Sequence, residues 1–216
     1  MPRPTLKQPE RGDARTRLLE AARDVIRSRG FSATSIDDLC KVAGVTKGAF
    51  FHHFDSKEAL GVAAAEFWSE TTSRFFAAAP YHKLADPLDR VLGYVEFRKA
   101  IIDGPPAEFT CLVGTMTQEV FDTSPAIRAA CAASIFDHAA TIEADIASAM
   151  EARQVSGGFS AASLAQHVQA VLQGAFILAK ASGARQTAID SVDHLKRYLI
   201  LLFQDRRPDR KGSGND

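Results

Sequence analysis

The sequence has little of several features that mark whole classes of protein. No apolar run approaches the roughly 18 residues needed to span a membrane, and the first residues, MPRPTLKQPERGDARTR, lack the apolar stretch of a signal peptide. Only three of the 216 residues are cysteines, Cys40, Cys111 and Cys131, and they lie far apart. Their odd number and wide spacing argue against a disulfide framework and a paired-cysteine metal site. We therefore expect a cytoplasmic protein without a metal ion or a membrane partner.

The sequence also lacks the common catalytic signatures. It has no Gly-rich phosphate loop, no HExxH, no GxSxG and no CxxC pair, and its carboxylates are spread over helix caps and solvent faces. An enzyme is therefore the weaker alternative, and we expect neither catalytic residues nor a cofactor.

Charge is balanced over the chain but unevenly distributed. Lys and Arg number 26, as do Asp and Glu, yet residues 1–57 carry a net charge of +4 and residues 58–216 carry −4. A basic head on an acidic body is one mark of a protein that binds nucleic acid.

Apolar residues recur at intervals of three and four nearly throughout, and no convincing strand is present, which predicts an all-α protein of about nine helices. Thr34 with Asp37, and Asp55 with Glu58, fit the pattern of capping boxes, and either Asp55 or Ser56 is expected to cap the fourth helix. The predicted helices cover residues 14–29, 35–43, 46–53, 56–79, 87–101, 107–121, 125–153, 159–184 and 187–204.

The stretch GVTKGAFFHHFDSKEAL, residues 44–60, follows two short helices and begins a third. This layout is typical of a helix-turn-helix, whose second helix enters the major groove of DNA with its N-terminal residues towards the bases. Thr46 caps that helix, Lys47 adds positive charge, and Gly48 lets the backbone come close to the DNA. Phe50 and Phe54, four residues apart, are predicted core residues.

The longer segment TSIDDLCKVAGVTKGAFFHHFDSKEAL resembles the signature of the TetR/AcrR family of bacterial repressors. The resemblance implies a homodimer in which three N-terminal helices bind DNA and the other helices form a ligand-sensing and dimerisation body. It places the DNA-facing positions at Thr34, Thr46, Lys47, Gly48, Phe51, His52, His53 and Lys57. Family members usually have tyrosine at the position of Phe51, and its hydroxyl often reaches a phosphate.

The resemblance implies a division of the chain into four parts. These are a flexible N-terminal arm (residues 1–13), a helix-turn-helix DNA-binding domain (14–55), a ligand-sensing and dimerisation domain (56–204) and a disordered tail (205–216). The dimer interface is expected within residues 159–204, where small residues permit close approach: Ala170, Gly174, Ala175, Ala181 and Gly183.

Residues 109–131, FTCLVGTMTQEVFDTSPAIRAAC, resemble a NemR-like subgroup of the family that senses electrophiles and reactive chlorine species through a cysteine. Cys111 falls on that position, which makes it a candidate redox or electrophile sensor; a small buried core residue is the alternative. Cys40 and Cys131 are predicted to be structural. The unknown effector is expected to be apolar or electrophilic, with Gln118, Glu119, His138 or His167 as possible polar contacts.

Together these features predict a DNA-binding transcriptional regulator, with repression as the favoured direction. A small-molecule or electrophile effector would release it from a palindromic double-stranded operator. The alternative is a helical interaction protein that has kept a TetR-like head and lost specific operator binding.

Overall fold

The computed structural model describes residues 13–156 and 158–204, in which all regular secondary structure is helical. The helices are α1 Ala14–Arg29, α2 Ile36–Ala43, α3 Lys47–His53, α4 Lys57–Ala77, α5 Pro87–Ala100, α6 Pro106–Phe109, α7 Leu112–Val120, α8 Pro125–Ala152, α9 Ala161–Ser182 and α10 Arg185–Gln204. A 3-10 helix, Pro80–Lys83, lies between α4 and α5. The predicted all-α class is confirmed. The predicted arm and tail fall almost wholly outside the described residues.

Several predicted helix ends are confirmed because the capping groups are in place. Asp86 accepts hydrogen bonds from the N–H groups of Leu88 and Asp89, at 2.7 and 3.3 Å, at the start of α5. Gly30 ends α1 with φ +90°, and Gly44 ends α2 in the left-handed conformation, φ +63°. Glycine adopts positive φ without the steric cost that a Cβ imposes.

Two predicted capping boxes are wrong. Ser35, rather than Thr34, caps α2: its Oγ accepts from the N–H of Asp38 at 3.1 Å, and the Asp38 carboxylate accepts from the N–H of Ser35. At α4 the predicted alternative Ser56 is confirmed as the cap, since its Oγ accepts from the N–H of Ala59 at 3.0 Å, but the box of Asp55 with Glu58 does not form. Glu58 completes no box there, because its carboxylate accepts instead from the Ser124 hydroxyl.

The single helix predicted over residues 107–121 is also wrong, and the chain has ten α-helices in its described part instead of about nine. Thr110 and Cys111 are extended, with ψ 162° and 125°, and they separate α6 from α7. Neither residue is a glycine or a proline, so the sequence carries no conventional helix breaker at this point.

The described residues form two compact units. The head unit contains residues 13–72 and 111–134, and the body unit contains residues 73–110 and 135–204 apart from residue 157. This structural division differs from the predicted domains 14–55 and 56–204, which describe sequence modules and stay predictions.

Each unit has its own apolar core. The most deeply buried side chains of the head unit include Leu18, Ile26, Leu39, Phe50, Leu60, Met116 and Ile127. Those of the body unit include Val91, Tyr94, Ile142, Ile146, Val168, Leu172, Val192 and Leu199. In the body unit α10 packs along α9 and α5, and the ion pairs Lys99–Asp193 and Lys196–Glu96, at 2.6 and 2.7 Å, join α5 to α10.

Candidate nucleic-acid interface

The turn between α2 and α3 presents the leading end of α3 at the surface of the head unit. Thr46 Oγ1 accepts from the N–H of Ala49 at 3.1 Å, which confirms the predicted cap. Thr46, Lys47 and Gly48 are all exposed. Because the first N–H groups of a helix have no partner within it, this exposed end offers backbone donors beside a cationic side chain.

The rest of α3 divides cleanly between core and surface. Phe50 is completely buried and Phe54 is 5% exposed, which confirms both as core residues. Phe51 lies on the outer side with 49% of its surface exposed, and its ring packs edge-on against that of Phe50. His52 is exposed and its ring lies 4.9 Å from that of the half-buried His53. The anchored phenylalanines therefore fix which side of α3 faces outward.

Lys47 makes a surface ion pair with Asp37 of α2, with 3.1 Å between Nζ and the carboxylate. Both side chains are mostly exposed, so the pair contributes little to stability and exchanges its partner readily. A phosphate group can replace Asp37 without breaking any buried contact. Lys47 thus stays available to an anionic partner.

Lys57 is more constrained than the sequence suggests. Its Nζ donates to the Ser32 carbonyl oxygen at 3.3 Å and lies 4.5 Å from the centre of the Phe31 ring. Partial burial lowers the pKa of Lys57, while the carboxylate of Glu119 acts in the opposite direction. Its first role is to hold the α1–α2 turn.

Thr34 is buried within the same turn. Its side chain is 1% exposed, and its hydroxyl donates to the Gly30 carbonyl oxygen at 2.6 Å. Because Thr34 is buried and its hydroxyl is already hydrogen-bonded, it supports the helix-turn-helix from within and is not one of the proposed DNA contacts.

Glu119 of α7 provides a contact that the sequence did not reveal. Its carboxylate accepts from the backbone N–H of Ser32 at 2.7 Å. Glu119 is predicted above as a possible polar contact for an effector, whereas the structure places it against the α1–α2 turn of the head unit. The two residues lie 87 positions apart, and no local pattern links them.

Cys111 caps α7. Its Sγ accepts from the N–H of Gly114 at 3.4 Å, and the side chain is half-buried. Cys40 and Cys131 are buried, as predicted, at 6% and 0% exposure. Burial raises the pKa of Cys40 and raises that of Cys131 to about 11, so both thiols stay protonated near neutral pH.

Within residues 13–156 and 158–204 no group of three or more His, Cys, Asp or Glu side chains is arranged to hold a metal ion. None of the helices in that part of the chain has the length and apolar character needed to cross a membrane.

Sequence comparisons match both the N-terminal and the C-terminal part of the chain to known families. Residues 18–64 match the family described as bacterial regulatory proteins, tetR family, and residues 87–195 match the tetracyclin repressor-like C-terminal domain. The chain is 23% identical to the HTH-type transcriptional repressor DhaR of Mycobacterium sp. (strain GP1) over 206 residues, 95% of this chain and 98% of DhaR. It is 33% identical to the HTH-type transcriptional repressor NemR of Escherichia coli (strain K12) over 133 residues, 55% of this chain and 59% of NemR.

Solved structures give the same picture. The reduced form of E. coli NemR superposes with a TM-score of 0.74 at 26% identity, covering 86% of this chain and 96% of NemR. A cysteine mutant of the TetR family regulator CifR, complexed with 26-bp double-strand operator DNA, shares the fold with a TM-score of 0.71 at 20% identity, over 88% of this chain and 98% of CifR. With both its N-terminal and its C-terminal regions matched, the chain belongs to the TetR family of bacterial regulatory proteins.

Proposed function

We propose that this protein is a transcriptional repressor that binds a palindromic operator as a homodimer. The observation that carries the proposal is the exposed leading end of α3, where Thr46, Lys47 and Gly48 lie above the buried anchor Phe50. The proposed DNA contacts are Thr46, Lys47, Gly48, Phe51, His52 and His53, with Lys57 adding positive charge from the neighbouring turn. The repressor names of DhaR and NemR support the direction of regulation.

Dimerisation is proposed through the outer faces of α9 and α10. Ile177, Leu178, Tyr198 and Leu201 are large apolar side chains that are 44–65% exposed on these two helices. An apolar surface of this kind on a soluble helix pair favours association with a second copy. A dimer places two copies of α3 against two half-sites, which a palindrome supplies.

Two of the five small residues predicted for the dimer interface have a role within a single chain instead. Ala170, Gly174 and Ala181 lie on the outer side of α9 or between its faces. Ala175 is 1% exposed within its own chain, and Gly183 ends α9 in the left-handed conformation with φ +68°. These last two residues therefore support the fold of one chain.

The experiment is selection of bound sequences from a random double-stranded DNA library, followed by affinity measurements at several salt concentrations. We expect an enriched palindrome. Replacing Lys47 by alanine removes one phosphate contact per subunit, so the slope of log affinity against log salt should become shallower by about 0.9 per subunit. Lys83→Ala, at an exposed position in the body unit, is the charge-matched control. Equal slopes for the two variants would contradict the proposed interface.

The alternative function is a helical interaction protein without a specific operator. Phe51 is the residue that favours it, because a phenylalanine lacks the hydroxyl with which tyrosine reaches a phosphate. This alternative predicts that no sequence is enriched and that all duplexes bind equally, with only the electrostatic contribution.

We further propose that an effector releases the operator, and Cys111 is one candidate for receiving it. The thiol lies at the N-terminal end of α7, where it is half-buried and its Sγ accepts from the N–H of Gly114. N-ethylmaleimide should then weaken operator binding by the natural chain and leave the Cys111→Ser variant unaffected. The buried Cys40 and Cys131 remain in both proteins and serve as internal controls. Equal inactivation of both proteins would show that the reagent acts through a group other than Cys111.

A further inference from the structure

Arg98 differs from the other basic residues of α5. Arg90 pairs with Asp145 at 2.6 Å, and Lys99 pairs with Asp193 at 2.6 Å. Among the described residues Arg98 has no carboxylate partner, although it packs into the body unit and is only partly exposed. Charged groups inside proteins are usually paired, because removing an ion from water is costly.

The groups in the described part of the chain that accept from Arg98 or lie under its guanidinium are neutral. Its Nε donates to the Tyr94 hydroxyl oxygen at 3.0 Å, and its Nη2 donates to Gln169 Oε1 at 3.4 Å. The guanidinium carbon lies 4.6 Å from the centre of the Phe76 ring. The bond to Gln169 is long for a charged donor, for which about 2.7–2.9 Å is usual. The other N–H groups of the guanidinium donate to no acceptor in the described part of the chain.

The hydrogen bonds around Tyr94 show that this cluster has no internal anion. Arg98 and Gln169 both donate to the Tyr94 oxygen, so the hydroxyl proton is directed to His138 Nε2, 3.0 Å away. Burial, helped by the nearby charge of Arg98, lowers the pKa of His138 to about 3. The imidazole is therefore neutral at physiological pH, and the cluster carries the single positive charge of Arg98.

A cleft lies directly beside the cluster. It has a volume of about 190 Å³ and lies between α8 and α9, with Ile135, Phe136, Ala139 and Ala170 in its apolar lining. Gln169 belongs both to this lining and to the hydrogen bonds of Arg98 and Tyr94. Gln169 is thus the residue that joins the cleft to the cluster.

We propose that the cleft and Arg98 form an effector site for a small organic acid, a carboxylate on a compact apolar body. The carboxylate takes the place of Gln169 Oε1 as the acceptor of the guanidinium, where a planar carboxylate accepts two parallel N–H bonds. The apolar body occupies the cleft, whose volume is below the roughly 300–1,000 Å³ of sites for larger ligands. The effector role rests on the proposed repressor function; the anion site itself does not.

The test is calorimetric titration of the full chain with benzoate and phenylacetate, and with benzamide and phenylacetamide as uncharged counterparts. We expect the acids to bind at least tenfold more tightly than the amides. Arg98→Met should weaken acid binding at least tenfold, and Arg98→Lys should give an intermediate loss because an ammonium lacks the planar fork. Lys99→Met, which removes the adjacent cation of the same helix, should leave acid binding unchanged.

A second variant covers the case in which Arg98→Met fails to fold. Gln169→Glu places a carboxylate of the chain itself beside Arg98 and should abolish acid binding while raising the melting temperature. Equal binding of acids and amides, or undiminished acid binding by Arg98→Met or Gln169→Glu, would overturn the proposal.

Operator affinity is measured in parallel, with and without the acids. Acids that bind at Arg98 and lower operator affinity support the effector role, whereas acids that bind and leave it unchanged overturn that role. A chain that binds its operator but no acid refutes the anion site and leaves the repressor function intact. A chain that binds acids but selects no DNA sequence supports the site and contradicts the repressor function.

Discussion

Gly48 is the residue of α3 at which helix stability and the proposed DNA contact favour different side chains. A Cβ built on Gly48 would meet Thr46 Oγ1 at 3.8 Å as its nearest neighbour, an ordinary van der Waals contact. Nothing in the free protein therefore requires glycine at this exposed helical position. Close approach of the backbone to DNA supplies a reason.

The Gly48→Ala variant tests that reason. Alanine should raise the free energy of unfolding by about 0.5–1 kcal/mol, because glycine loses more backbone entropy in a helix. We expect the same change to weaken binding to the selected operator at least tenfold, since the added methyl group occupies the space between helix and base edges. Urea unfolding and operator titration on one preparation measure both effects. A variant that gains stability and keeps its operator affinity would remove Gly48 from the interface.

At the scale of helices, sequence predicts those features that depend on neighbouring residues. The C-terminal end of α1 follows from Gly30, and the start of α5 follows from Asp86–Pro87. Each of these signals acts within one turn of its own helix. The sequence does not distinguish Thr34 from Ser35 as the cap of α2, because both side chains carry a hydroxyl that can accept from a helix N–H. Thr34 is buried in the fold, and Ser35 is the cap. The Glu119–Ser32 contact was missed because the fold alone brings residues 87 positions apart together.

The candidate site divides in the same way. The outward position of Lys47 and Gly48 follows from the four-residue spacing of Phe50 and Phe54, which fixes the buried side of α3. The engagement of Lys57 with Ser32 and the isolation of Arg98 from carboxylates depend on packing between distant segments. Neither the contact of Lys57 nor the surroundings of Arg98 can be predicted from composition or residue spacing.

The burial of His138 on α8 makes the stability of the body unit depend on pH, because burial and the nearby charge of Arg98 lower the pKa of the imidazole to about 3. The imidazole takes up a proton near pH 6.5 in the unfolded chain, but only near pH 3 in the folded protein. The unfolded state therefore gains protons first as pH falls from 6.5 to 3. The free energy of unfolding therefore keeps the full contribution of the neutral His138 above pH 6.5 and loses it progressively below that pH.

Replacing His138 by glutamine isolates this contribution. At about 1.4 kcal/mol per pH unit, the natural chain should lose about 2 kcal/mol through this group between pH 7.5 and pH 5. His138→Gln keeps an acceptor for the Tyr94 hydroxyl and does not titrate, so its loss over the same interval should be smaller by that amount. Urea unfolding at the two pH values gives the comparison, with His194→Gln, at an exposed position of α10, as the control. The same loss in both variants would show that His138 is not the titrating group.

At the scale of the whole molecule, the proposed dimer interface on α9 and α10 is the feature on which the proposed binding to a palindromic operator depends. The side chains Ile177, Leu178, Tyr198 and Leu201 lie on α9 and α10, and the chain itself leaves 44–65% of their surface exposed. Helix α3, which carries the proposed DNA contacts, belongs to the head unit, whereas α9 and α10 belong to the body unit. Substitutions on α9 should therefore change the oligomeric state without changing the local structure of α3.

Gly174 gives the sharpest test of that separation. Apart from the adjoining residues and the backbone of α9, a Cβ at this position would meet no atom within 4 Å, so a long side chain is accommodated in the monomer. Gly174→Arg should give a species of 23.4 kDa by light scattering, in place of one twice that mass, with its helix content retained. Its operator affinity should fall by more than 100-fold, because each head then binds one half-site without the effective concentration that a linked partner supplies. Ser148→Arg, at an exposed position of α8, should keep both the dimer and the affinity. A Gly174→Arg protein that remains dimeric would place the interface elsewhere, and a monomer with undiminished affinity would show that one head suffices for the operator.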